Sequence, residues 1–106
     1  MIIAHCHLIV GSPSGEAPVP VRVFQPERDG EAWTCRYEIE WPSEKWSRFA
    51  AGVDSMQALI LALEKIGTEI CTSSYHQSKS IKRLGYPLGY GFPLPPNVRD
   101  KLTPDE

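Results

Sequence analysis

Residues 33–70 read WTCRYEIEWPSEKWSRFAAGVDSMQALILALEKIGTEI, and this stretch decides the fold. Trp33, Cys35, Tyr37, Ile39 and Trp41 alternate with Thr34, Arg36, Glu38 and Glu40. That is the period-two pattern of a strand with one face in a core and the other toward water. Pro42 and Ser43 break it, and the next strand is predicted from about Trp46 to Gly52, with Phe49 and Ala51 pointing inward. Asp54 then stands where a helix N-cap belongs, and Gln57, three residues on, completes a capping box. At about 100° per residue Met56, Leu59, Leu63, Ile66 and Ile70 gather on one stripe, with Ala62 and Ile60 at its margins. This stripe is expected to pack on the sheet. Leu61 projects among Gln57, Glu64, Lys65 and Thr68, which makes it a candidate contact for the C-terminal tail or for another chain.

Upstream, Ile2, Ala4, Cys6, Leu8 and Val10 alternate with Ile3, His5, His7 and Ile9, and the first set is expected to be buried. Residues 11–15 form a turn. Val19, Val21 and Val23 mark another strand with Arg22 and Phe24 on its opposite face, and Pro20, lacking an amide proton, favours an edge position or the strand start. Asp29-Gly30 supplies a reversal. Short connections among four strands imply an antiparallel meander. Downstream, residues 73–84 are polar and basic and admit a short helix or a short added strand around Ile81. Residues 85–96 hold too many prolines and glycines for regular structure, so Tyr86, Tyr90 and Phe92 are expected to lie across the domain in an extended, polyproline-type run. The expected architecture is α+β: a four-stranded antiparallel β-meander, one long helix on one face and a Pro/Gly-rich tail. Residues 1–96 form one domain and 97–106 fray.

Composition bounds the function. With 106 residues, 42% hydrophobic and 23% charged, the chain has the make-up of one modest core. A formal net charge of -2 gives no global attraction to nucleic acid or to an anionic membrane. The run from Ile2 to Val10 is too short to span a bilayer and reads as a strand, not a signal peptide, so no membrane partner is expected. Cys6, Cys35 and Cys71 are odd in number and form no Cys-x-x-Cys pair, which fits reduced thiols in the cytoplasm.

His5 and His7 share one strand face, a metal-ligand geometry that needs further ligands. Cys6 points the other way, and only carboxylates such as Glu38 or Glu40 are placed to complete a site, so a solvated face without metal is expected. Cys35 lies between tryptophans and Cys71 near the negative end of the helix dipole, and both surroundings disfavour a thiolate. There is no Gly-x-Ser-x-Gly turn and no glycine-rich phosphate loop, so neither catalysis nor a cofactor is expected. The candidate interaction surface is the outer sheet face with His5, His7, Arg22, Phe24, Arg36, Glu38 and Arg48, together with Leu61 on the helix. The function expected from it is non-catalytic protein binding, including self-association as a homodimer, and within that class an immunity- or antitoxin-type inhibitor. The alternative is nucleic-acid binding through Tyr75, Lys79, Lys82 and Arg83, where an aromatic ring accompanies positive charge.

Three segments carry a resemblance. The strand Trp33-Thr34-Cys35-Arg36-Tyr37-Glu38-Ile39, the helix start Gly52-Val53-Asp54-Ser55-Met56-Gln57-Ala58-Leu59 and the run Gly89-Tyr90-Gly91-Phe92-Pro93 resemble a family of small uncharacterised bacterial proteins. The resemblance covers roughly residues 33–93 and implies a single domain without assigning an activity. The helix start is also similar to that of HicB-like antitoxins, although this chain lacks their glycine-rich strand motif and shows no DNA-binding module after the helix.

Overall fold

A computed structural model describes residues 1–12, 14–83 and 89–96. Within them lie strands β1 (Ile2–Ser12), β2 (Gly15–Phe24), β3 (Glu27–Asp29), β4 (Ala32–Glu40), β5 (Lys45–Gly52) and β6 (Ile81–Lys82). Helix α1 spans Ser55–Cys71, a single-turn helix α2 spans Ser74–Gln77, and a 3-10 turn covers Gly89–Gly91. The fold is α+β, with every strand pair antiparallel. The four long strands β1, β2, β4 and β5 form the expected meander. Among the described residues the sheet nevertheless has six strands, and two α-helices are present, not four strands and one helix. β3 is a continuation of β2 beyond Gln25-Pro26 that pairs with the first residues of β4, and β6 adds to β1 at Ile9 and Val10. Both α2 and β6 come from the polar 73–84 segment.

β2 sits between β1 and β4 instead of at an edge. Its ladder to β4 is confined to Val21–Val23, so Pro20 falls outside that ladder and its missing amide costs nothing there. β4 alternates as its sequence predicts, with Cys35, Tyr37 and Ile39 fully buried on one face. β5 does not. Ala50 is buried, Ala51 is exposed and Phe49 is 56% exposed, because pairing Cys35 with Ala50 and Arg36 with Phe49 puts Phe49 on the outer face. A one-residue change of phase exchanges the two faces of a strand. In β1 a bulge between Ile2 and Ala4 has the same effect on Ile2, which pairs with the outward-facing Phe24 and is exposed, whereas Ala4 stays in the core-side phase opposite Val23 yet is exposed, and Leu8 and Val10 further on are buried.

Asp54 caps α1, its Oδ1 accepting from the Gln57 amide at 2.8 Å, while Gln57 Oε1 accepts from the Val53 amide at 2.7 Å. The second bond reaches one residue further back than a standard capping box. A side chain at Gly52 would meet the Ala58 nitrogen at 2.6 Å, so only glycine lets β5 run this close to the first turns of α1. The buried stripe of α1 is Ala58, Ala62, Ile66, Gly67, Ile70 and Cys71. Leu59, Leu61 and Leu63 pack against it at the margins. Met56, expected on the stripe, is 67% exposed, and Leu61, expected among polar residues, is half-buried against the core. Small alanines at the centre allow the helix axis to approach the sheet, which turns the helix away from the larger Met56.

The later segment packs on α1. Tyr90 is buried at φ 55, Gly91 follows at φ 87, and the Tyr90 carbonyl accepts from Arg83 Nη1 at 2.7 Å. The run is thus docked, as expected of it, but through a 3-10 turn with left-handed residues instead of an extended polyproline-type course. The expectations for Tyr86 and for residues 97–106 lie outside the described residues. Among the described residues no helix is long and apolar enough to cross a membrane.

Candidate functional site

With α1 packed on the Cys35–Tyr37–Ile39 side, no other described element covers the opposite face of β1, β2, β4 and β5, and strand register arranges the side chains of this open face in transverse rows. The first row runs Ile2, Phe24, Arg36, Phe49. Ile2 is paired with Phe24, the Arg36 guanidinium lies 3.9 Å over the Phe24 ring, and Arg36 is paired with Phe49. The second row runs His5, Arg22, Glu38, Ser47, each the register partner of the next. One step on, His7 is paired with Pro20 and Glu40 with Lys45.

Glu38 is the hub of this face. Its side chain is only 10% exposed, although alternation places it outside, because three cations close over it. Arg22 Nη1 approaches at 3.6 Å from β2, Arg36 Nη1 at 3.4 Å from β4 itself and Lys45 Nζ at 3.4 Å from β5. Arg22 also reaches Glu40 at 3.4 Å. The face is therefore a nearly neutral lattice of alternating charge and does not present cations alone. Beside it the apolar side chains stay in water: Phe49, Ile2 at 46% and Ile3 at 45% exposure. A shallow cleft of about 250 Å³ lies at the first row, lined by Phe24, Arg36 and Phe49 together with Gln25, Glu27 and Thr34.

Of the residues expected on this surface, His5, His7, Arg22, Phe24, Arg36 and Glu38 are brought together there. Arg48 is not. Paired with Tyr37, it lies on the helix side, where its Nη1 donates to Glu69 Oε1 at 2.8 Å, beside the Tyr37 hydroxyl donating to the same oxygen at 2.8 Å. Burial, then the hydrogen bond and charge of Glu69, pushes the Tyr37 phenol far above the ordinary tyrosine range, so it remains a proton donor to Glu69. Leu61 also lies away from the open face. Lys45, Phe49 and Ile2 belong to it and were missed by strand periodicity, which had set Ile3 on the same side as His5 and His7. The signal for Lys45, Phe49 and Ile2 lay in register, which one strand's sequence does not display.

His5 and His7 do share a face, their rings 6.0 Å apart and edge-to-face. Among the described residues no group of three or more His, Cys, Asp or Glu is placed to hold a metal ion. The basic segment is dispersed. Tyr75 is stacked on Trp41 at 4.6 Å, Lys82 pairs with Glu16 at 2.9 Å, and Arg83 lies over Phe92 while holding the Tyr90 carbonyl. Lys79 sits at φ 57 after α2. All three cysteines are free, and burial raises each thiol, Cys71 to about 11. Protonated thiols are poor nucleophiles at neutral pH.

A family model described as Domain of unknown function (DUF6968) matches residues 4–94. No curated protein and no solved structure matches the chain.

Proposed function

We propose a non-catalytic protein-binding role for this chain, which belongs to the DUF6968 family of domains of unknown function. The observation that carries the reading is the open sheet face, where Ile2, Ile3 and Phe49 stay about half exposed beside a charge lattice already neutralised around Glu38. Apolar side chains in water favour burial against another protein surface. Pre-paired charges confer register and specificity on such a contact without strong attraction to phosphate. Glu27, Glu38 and Glu40 among the cations oppose a nucleic-acid backbone, and the engagement of Tyr75, Lys82 and Arg83 with Trp41, Glu16 and the Tyr90 carbonyl favours a protein over a nucleic acid as the ligand. Inhibitors of the immunity or antitoxin type belong to the same class, and the capped helix start that resembles HicB-like antitoxins supports placing the chain near them. Three free, raised thiols fit a reducing compartment such as the cytoplasm.

The test is partner capture by the full chain from its native host, run in parallel with Phe49→Asp on the open face and Met56→Asp at an exposed position of α1. Loss of the captured protein with Phe49→Asp and its retention with Met56→Asp is the expected result. Equal retention by both variants overturns the reading. Binding of short single- or double-stranded nucleic-acid probes at low salt, lost on raising the salt, overturns it in favour of nucleic acid.

A further inference from the structure

We infer that the open face receives a second copy of this chain, face to face across a two-fold axis that lies between β2 and β4 and runs parallel to the strands. The inference rests on the reading of that face as a protein-binding surface, and it comes from the order of residues in the rows. Such an axis leaves each row facing itself with its order reversed, so the first residue meets the fourth and the second meets the third.

In the first row, Ile2 then meets Phe49 of the second copy, apolar against apolar, and Phe24 meets Arg36 of the second copy, an aromatic ring against a guanidinium. In the second row, Arg22 meets Glu38 of the second copy and His5 meets Ser47 of the second copy, so opposite charges and hydrogen-bonding groups coincide. Reversal produces no like-charge pair in either row. A two-fold interface uses the same patch on both copies, so a patch must complement its own reversed pattern, and most charged surfaces do not.

Size bears on its strength. All four strands share only the rows from Ile2, Phe24, Arg36 and Phe49 to His7, Pro20, Glu40 and Lys45, about six residues at about 3.4 Å each across strands about 4.8 Å apart, which is on the order of 400 Å². A standard interface takes about 800 Å² from each partner, so a concentration-dependent dimer is expected and not an obligate one. Twisted sheets that pack face to face cross at about 30°, which keeps the pairs beside the axis, Phe24 with Arg36 and Arg22 with Glu38, in closest contact.

The test uses the full chain in sedimentation equilibrium over a wide concentration range, with native mass spectrometry to read the composition of mixtures. The wild type is expected to dimerise. Phe49→Asp and Ile2→Lys, both at exposed positions and so compatible with folding, each weaken self-association by about tenfold or more. Mixed together, they form a heterodimer tighter than either parent dimer. The carboxylate that Phe49→Asp introduces in one chain then faces the ammonium that Ile2→Lys introduces in the other, while the unchanged Ile2 and Phe49 still meet. Met56→Asp, at an exposed position of α1, leaves the dimer intact. A wild type that stays monomeric at millimolar concentration overturns the second copy as occupant, while the loss of a different captured partner with Phe49→Asp still upholds the binding face. Dimers unaffected by Phe49→Asp, or a mixture no tighter than its parents, overturn this pairing of rows.

Discussion

Substituting alanine for Gly67 adds one methyl group to the middle of α1, where it would meet Leu94 Cδ2 at 2.7 Å, Phe92 Cβ at 3.0 Å and the Pro93 carbonyl oxygen at 3.1 Å. In an open helix interior the same exchange stabilises by about 1 kcal/mol, because glycine loses more backbone freedom on folding than alanine does. Here the methyl overpacks the interface with the docked segment, which costs roughly 1–3 kcal/mol. The net expectation is a loss between near zero and about 2 kcal/mol, with a Tm fall of about 4–8 °C per kcal/mol. Detaching the segment is the costlier escape. Tyr90 alone, 8% exposed, would return to water an aromatic side chain of about 150–250 Å², worth roughly 4–6 kcal/mol. The segment therefore shifts without leaving. The assay is a double-mutant cycle by thermal denaturation with Leu94→Ala, which removes the nearest atom and by itself costs roughly 1–2 kcal/mol for a half-buried leucine. The double variant should be more stable than the sum of the single losses by at least about 0.5 kcal/mol. A Gly67→Ala protein that gains the full helix-propensity increment, with no coupling to Leu94, refutes docking on this face.

Three more outcomes are expected. Tyr37→Phe removes a fully buried hydroxyl from Glu69 and should lower stability by about 1–3 kcal/mol in denaturant unfolding, whereas a neutral effect would mean that Glu69 is satisfied without it. Stability should fall at alkaline pH. Cys71 rises from 9.0 to about 11 and Tyr90 from 10.0 to about 12, so the stabilisation held by their neutral forms is complete below the unfolded values and is lost as pH climbs through the folded ones. A Tm that stays flat from pH 9 to 12 contradicts this. Buried Cys35 and Cys71 should react with a thiol reagent only as fast as the protein unfolds, and Cys6, half-buried beside Arg83, should react first; equal native rates for all three would overturn that order.

The parts of the fold legible in the sequence are those set by contacts within one strand or one helix. β4 repeats its own alternation over nine residues, and Asp54 with Gln57 announces α1 locally. What escaped is set by partners distant in sequence. Nothing near Arg48 shows that Glu69, 21 residues on, draws it to the helix side. Nor does anything near Phe49 show that pairing with Arg36 leaves its ring in water. Ala58 and Ala62 look incidental in a hydrophobicity pattern because they are small, yet smallness is what makes them the centre of the buried face. The candidate surface was legible for β1, β2 and β4, and its fourth column was lost with the phase of β5.

The carboxylate of Glu38 has a consequence for assembly of the sheet itself. It takes one cation from β2, one from its own strand β4 and one from β5, and the two from the neighbouring strands reach it only while those strands stay in step. A slip of one residue in either neighbour would carry Arg22 or Lys45 through to the core side and leave an anion under-compensated on the outside. Glu38 thus works as a detent between three strands. β5, whose own side chains specify its phase poorly, is indexed by an ion pair where hydrophobic pattern alone leaves two settings open.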